Sequence, residues 1–119
     1  MKKILVVEDG EVERELMRLT LEREGYGVVA AEDGVRGFEL ALSERPDLII
    51  TDVYMPAADG VHLVRHVRST PELAATPILV TTGFGTGSAT LTLAQGADAY
   101  EPKPLDPGSL RETVRRLLS

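Results

Sequence analysis

Hydrophobic positions along the chain follow two alternating patterns. Short unbroken apolar runs take turns with longer stretches in which apolar residues return every three or four positions. Residues 3–8 have the continuous centre Ile4-Leu5-Val6-Val7 and end in the acids Glu8 and Asp9. Gly27–Ala31, residues 48–51, Ile78–Thr82 and residues 97–101 are four further short runs. Apolar runs without strict alternation suit strands covered on both faces, as in a parallel sheet.

The stretches between them have helical period. After Gly10, a stripe at Val12, Leu16 and Leu19 predicts a first helix, with acids in its first turn where the helix dipole favours them, and Gly25 stops it. Glu32-Asp33-Gly34 reads as a turn, and Phe38, Ala41 and Leu42 mark the buried side of a second helix. Gly37 weakens that helix by about 1 kcal/mol relative to Ala, and Pro46 ends it. Gly60, Leu63, Val64 and Val67 stand at i, i+3, i+4 and i+7 of a third helix, closed by Ser69-Thr70-Pro71. Pro107 opens a final helix with Leu110, Val114, Leu117 and Leu118 on one face.

Residues 83–95 depart from both patterns. Glycines at 83, 85 and 87 precede a Thr-Leu-Thr-Leu alternation, and Thr is a poor helix former. A crossover helix is expected there because parallel strands need one, yet local propensity barely supports it, so this is the expected most mobile helical segment.

Five strands alternating with helices imply an α/β fold, a (βα)5 doubly wound five-stranded parallel sheet with helices on both faces. The natural strand order is 2-1-3-4-5, with its switch point between strands 1 and 3. That order sets Glu8 and Asp9, at the end of strand 1, beside Asp52, at the end of strand 3.

With 119 residues, a single domain over residues 1–119 is expected, large enough to bury a core without staples. The chain has no cysteine, hence no disulfide and no thiolate chemistry. No apolar run approaches membrane-spanning length, so neither a signal peptide nor a membrane contact is expected, and the cytoplasm is the expected location. A net charge of −6 argues against nonspecific nucleic-acid binding, although Arg111, Arg115 and Arg116 form a local basic side on the last helix.

Asp52 could simply end a strand and cap a turn, and Glu8-Asp9 could serve as a helix-capping pair. Together, three carboxylates at one sheet edge repel one another unless a cation offsets them. An all-oxygen cluster selects a hard cation, with Mg²⁺ the common choice. Phosphoryl transfer needs positioning and charge neutralisation, and an Asp can itself be the nucleophile. Thr82 after strand 4 and Lys103 after strand 5 would add a hydroxyl and a cation.

From end to end the chain resembles a response-regulator receiver domain of two-component signalling. The resemblance is carried by Ile4-Leu5-Val6-Val7-Glu8-Asp9, Asp33-Gly34, Pro46-Asp47-Leu48-Ile49-Ile50-Thr51-Asp52, Met55-Pro56, Asp59-Gly60, Pro77-Ile78, Thr82-Gly83, Gly96-Ala97-Asp98, Tyr100 and Lys103-Pro104. It implies that Asp52 is the phosphoacceptor, with Asp9 a direct Mg²⁺ ligand, Glu8 acting largely through a metal-bound water, and the Tyr54 backbone carbonyl another ligand. Thr82 would hydrogen-bond the phosphoryl group, and Lys103 would pair with its oxygens, its peptide bond to Pro104 being cis. Thr81 is the rival hydroxyl. Strand alternation sends Thr81 and Thr82 to opposite faces, and the offset from Pro77 and the small Gly83 favour Thr82. Tyr100 would follow Thr82 in a switch that alters an output face made by the fourth helix, fifth strand and fifth helix. Its alternative is a core-edge residue.

The resemblance further implies a signalling domain, not an enzyme, which promotes its own phosphorylation and dephosphorylation. Its partners would be a sensor histidine kinase or histidine phosphotransfer protein and an effector domain or partner protein on the output face. Dimerisation through that face, linked to phosphorylation, stays open. A Mg²⁺-dependent phosphohydrolase would want a second Asp where Tyr54 stands. A flavin carrier would want a phosphate-binding loop where Glu8-Asp9 stand. His62 and His66, at i and i+4, could present two imidazoles to a metal, but with no third ligand in view they read as exposed polar residues.

Overall fold

Each strand is built from one of the apolar runs. A computed structural model describes residues 1–54, 59–83 and 92–119. The strands are β1 (Lys3–Val7), β2 (Gly27–Ala31), β3 (Leu48–Asp52), β4 (Ile78–Thr82) and β5 (Ala99–Pro102). They pair in parallel in the order β2-β1-β3-β4-β5, which is the expected order. The strand positions expected at 3–8 and 97–101 shift at their ends: β1 stops before Glu8, and β5 begins two residues later and includes Pro102. Four described helices, α1 (Glu11–Arg23), α2 (Gly34–Glu44), α3 (Gly60–Arg68) and α4 (Pro107–Leu118), flank the sheet. A helical turn at 92–94 precedes β5. The expectations placed on Met55-Pro56, and most of those placed on 83–95, lie outside the described residues.

The period-2 geometry of each strand divides the core in two. Leu5, Val7, Ile49 and Val80 point to one side, where Ala41, Leu63, Val64 and Val67 of α2 and α3 cover them. Ile4, Val6, Leu48, Ile50 and Leu79 point to the other, under Met17 and Leu21 of α1 and Leu110 and Val114 of α4. Because both faces are covered, the strands show no polar alternation until their carboxyl ends.

Two helix faces differ from expectation. In α1 the buried residues are Met17 and Leu21, while Val12 and Leu16 are 68% and 60% exposed and Leu19 is exposed as well. Both sets have helical spacing, so periodicity alone does not choose between them; the direction of approach to β1 does. In α2, Gly34, Gly37 and Ala41 face the core and Leu42 faces solvent. Gly37 lies where a Cβ would sit 2.8 Å from Val7 Cγ2, so the helix trades local propensity for close approach to β1.

Acids cap the starts of α2, α3 and α4. Asp33 accepts from Arg36 N, Asp59 from His62 N and Asp106 from Ser109 N, each an N-cap contact. Arg68, at the end of α3, donates to the carbonyls of Ala74, Thr76 and Gly96 and pairs with Asp98, fastening α3 to the entrances of β4 and β5.

Candidate functional site

The carboxyl edge of the sheet is where the apolar runs end and polar side chains begin. Two residues before the end of β3, the row across β3, β4 and β5 reads Ile50, Leu79, Ala99; at the end it reads Asp52, Thr81, Glu101. Glu8 follows β1, next to the end of β3, with its backbone N–H donating to Ala31 O at 3.0 Å.

Lys103 ties the edge together. Its Nζ donates to Asp52 Oδ2 at 2.8 Å and to Glu8 Oε1 at 2.7 Å. To reach them from beyond β5, its side chain crosses the end of β4. Its backbone N–H donates to Thr82 O at 2.9 Å, prolonging the β4–β5 ladder by one residue, and its peptide bond to Pro104 is cis, as expected. Glu8 is 1% exposed and Asp52 6%, so both carboxylates are largely out of water. Asp9 is exposed beside them.

The capping reading of Glu8-Asp9 does not describe what is seen. The N-cap of α1 is Gly10, with no side-chain cap bond. Glu8 Oε2 instead accepts from Gly10 N at 3.0 Å, folding back over the turn, and its Oε1 points to Lys103. Arg14, not anticipated from the sequence, holds this turn by donating to Glu8 O at 2.9 Å. An arginine six residues on, bonding a backbone carbonyl, leaves no pattern in a sequence.

One oxygen from each of Glu8, Asp9 and Asp52 lies within 4.8 Å of the others, the only such group of three or more acidic, His or Cys side chains among the described residues. These are hard, anionic donors, the chemistry that suits Mg²⁺. Tyr54 N donates to Asp52 Oδ1 at 3.3 Å, so the backbone at 54 turns over the Asp52 carboxylate. Burial, with the Asp52 charge adding to it, pushes the Glu8 carboxyl above its usual range, against the pull of the hydrogen bonds from Lys103 and Gly10. Burial works against the Lys103 charge, but its bonds to Asp52 and Glu8 outweigh that and hold the ammonium above its usual pKa.

The two threonines part as alternation requires. Thr82 follows Val80 on the α2–α3 side, the side on which Tyr100 packs. Thr81 follows Leu79 on the α1–α4 side, fully buried, and its Oγ1 has no hydrogen-bond partner among the described residues. His62 and His66 lie away from this edge on α3, their ring centroids 5.9 Å apart, with His66 stacked on Phe38 at 3.8 Å. Among the described residues no third ligand joins them.

Beside Lys103, a largely apolar groove of about 550 Å³ runs between α1 and the start of α4, lined by Leu16, Met17, Leu105, Pro107 and Leu110. Leu16, which periodicity placed on the buried side of α1, lines one of its walls. Among the described residues, no helix is long and apolar enough to cross a membrane.

The response regulator receiver domain family matches residues 4–115. The response regulator MprA of Mycobacterium ulcerans is 42% identical over 117 residues, which are 98% of this chain and 50% of that protein. The chain thus spans about half the length of the curated relatives it matches. Among solved structures, the chemotaxis protein CheY4 of Vibrio cholerae superposes with a TM-score of 0.93 at 35% identity, covering 99% of both chains. The receiver domain of a sensor histidine kinase from Pseudomonas aeruginosa, solved with a magnesium ion coordinated in its active-site cleft, gives a TM-score of 0.92 at 28% identity, covering 98% of this chain and 97% of that one.

Proposed function

Because the chain belongs to the response-regulator receiver domain family, we propose that it is a phosphorylation-dependent signalling switch with Asp52 as phosphoacceptor. The donor is a phosphohistidine on a sensor histidine kinase or histidine phosphotransfer protein. An Asp52 carboxylate oxygen attacks phosphorus, the P–N bond breaks, and its electron pair leaves on the imidazole, which takes up a proton. The observation that carries this reading is Lys103 Nζ held between Asp52 and Glu8, a cation placed where a phosphoryl oxygen on Asp52 would need one.

Asp9, Asp52, the Tyr54 backbone carbonyl and, more remotely, Glu8 would hold Mg²⁺. Bound there, the ion would offset the negative charge that gathers during transfer. Lys103 then exchanges its carboxylate partners for phosphoryl oxygens, and the Thr82 hydroxyl donates to the same group. Tyr100, on the side of the sheet that Thr82 faces, follows it. The altered surface comprises the crossover between β4 and β5, β5 itself and α4, and an effector domain or partner protein reads it. Residues 1–119 act as one receiver domain in the cytoplasm, without contacting nucleic acid or membrane.

The groove between α1 and α4 is lined in part by Lys103, whose ammonium bonds Asp52, which suits it to take an apolar face of the protein that carries the donor.

Intact mass after incubation with Mg²⁺ and a small acyl phosphate tests the reading. One phosphoryl adduct is expected in the wild type and none in Asp52→Asn. A folded wild type that gains no adduct sinks the proposal. In a Mg²⁺ titration, equal affinity of wild type and Asp9→Ala would refute the cation site.

A further inference from the structure

The lysine at the centre of the site follows directly on an edge strand. Strand β5 has four residues and one neighbour, β4. Its last residue, Pro102, has no N–H to give to a ladder. Besides its pairing with β4, which the Lys103 N to Thr82 O bond prolongs, the end of β5 has a side-chain contact: Glu101 Oε2 accepts from Thr113 Oγ1 of α4 at 2.8 Å.

That contact sits among apolar neighbours. Glu101 is 7% exposed and Thr113 6%, on the side of the sheet where Leu79, Leu110 and Val114 form an apolar cluster. A side chain with a polar end, buried beside apolar groups, gives up hydrogen bonds to water that leucine never had. Packing alone therefore gives no reason for an acid at 101. The acid stands in the row Asp52, Thr81, Glu101, and Lys103 lies two residues on, where strand period returns its side chain to the same side.

We infer that Glu101 is a positioning residue for phosphoryl transfer: its bond to Thr113 ties the end of β5 to α4 and so fixes where the Lys103 ammonium meets Asp52. The inference rests on Asp52 being the phosphoacceptor. It also makes the placement of Lys103 depend on how α4 is seated, by a path on the opposite side of the sheet from Thr82 and Tyr100.

The test combines phosphorylation kinetics at saturating acyl phosphate, thermal melting, and the NMR signal of the Lys103 side chain in metal-free protein. Glu101→Leu is expected to melt no lower than the wild type, yet to take up the phosphoryl group about three- to tenfold more slowly, since small misplacements of reacting groups are expensive. Thr113→Val should behave alike, and the double variant should be no slower than either single one. Glu101→Gln keeps an acceptor for Thr113 and should restore most of the rate. The Lys103 signal should shift in Glu101→Leu and Thr113→Val and stay in place in Glu101→Gln. A wild-type rate and an unshifted Lys103 signal in Glu101→Leu would overturn the inference. A rate loss that tracks melting temperature through every variant, Gln included, would overturn it too. A wild type without any adduct would overturn the Asp52 reading instead, and the Lys103 signal would then still decide whether the tether exists.

Discussion

Lys103 Nζ lies 2.8 Å from Asp52 Oδ2, across 51 residues of sequence. The same ammonium pairs with Glu8, so it already occupies the charge-compensating place that a divalent cation would share. Lys103→Ala should accordingly bind Mg²⁺ more tightly, by about tenfold or roughly 1.4 kcal/mol, because a like charge has been removed at close range. It should also phosphorylate much more slowly. Mg²⁺ titration and adduct kinetics together check this, and weaker binding in the variant would contradict the account.

The raised pKa of Glu8 makes a statement about pH. A carboxyl whose pKa is higher in the folded than in the unfolded state stabilises the fold below the unfolded value and loses that contribution as pH rises through the folded one. In metal-free protein, the stability of wild type relative to Glu8→Gln should therefore fall as pH climbs from about 4.5 through the raised folded value. Melting curves of both proteins in a chelator, over that range, measure it. A difference that grows with pH would show the sign to be wrong.

Gly37→Ala should destabilise, although alanine is the better helix former by about 1 kcal/mol. The added Cβ meets Val7 Cγ2 at 2.8 Å in a packed core, and overpacking of this kind costs about 1–3 kcal/mol. Denaturant midpoints decide between propensity and packing. A more stable variant would mean that β1 gives way easily.

Thr81→Val replaces a buried hydroxyl that has no partner among the described residues with a methyl of the same shape. An orphaned polar group in the core costs about 1–3 kcal/mol, so the variant should be more stable. If Thr82 is the switch hydroxyl, Thr81→Val should also keep its conformational response to phosphorylation while Thr82→Val loses it. Tyr100 environment, followed by fluorescence or NMR, reports on both.

Leu16→Arg places a charge in the groove without touching Asp52. Transfer from a phosphohistidine protein should slow by tenfold or more, about 1.4 kcal/mol of lost apolar contact, while phosphorylation by a small acyl phosphate stays unchanged. Equal effects on both donors would mean that the groove is not the docking surface.

The strands, their order and the gathering of acids at one edge were legible because they follow from local rules. Unbroken apolar runs specify strands covered on both faces, parallel strands need crossovers, and a 2-1-3-4-5 order brings the ends of β1 and β3 together whatever the side chains do. Asp52, Glu8, Asp9, Thr82 and Lys103 could be picked out as strand-end groups for that reason. Residue spacing could not decide which apolar residues of α1 are buried, because Val12 and Leu16 have as good a helical period as Met17 and Leu21; the angle at which the helix meets the sheet made that choice. Nor could it show that Glu8 folds back to Gly10 and reaches Lys103 rather than capping a helix, since a carboxylate with two oxygens takes whichever donors the fold delivers. The Glu101–Thr113 bond was illegible for the same reason: each residue alone reads as an ordinary strand or helix position, and only the seating of α4 on β5 makes them partners. Sequence determined which chemical groups stand at the strand ends; tertiary structure decided which of them share a hydrogen bond or an ion pair, because those depend on distances that no local period encodes.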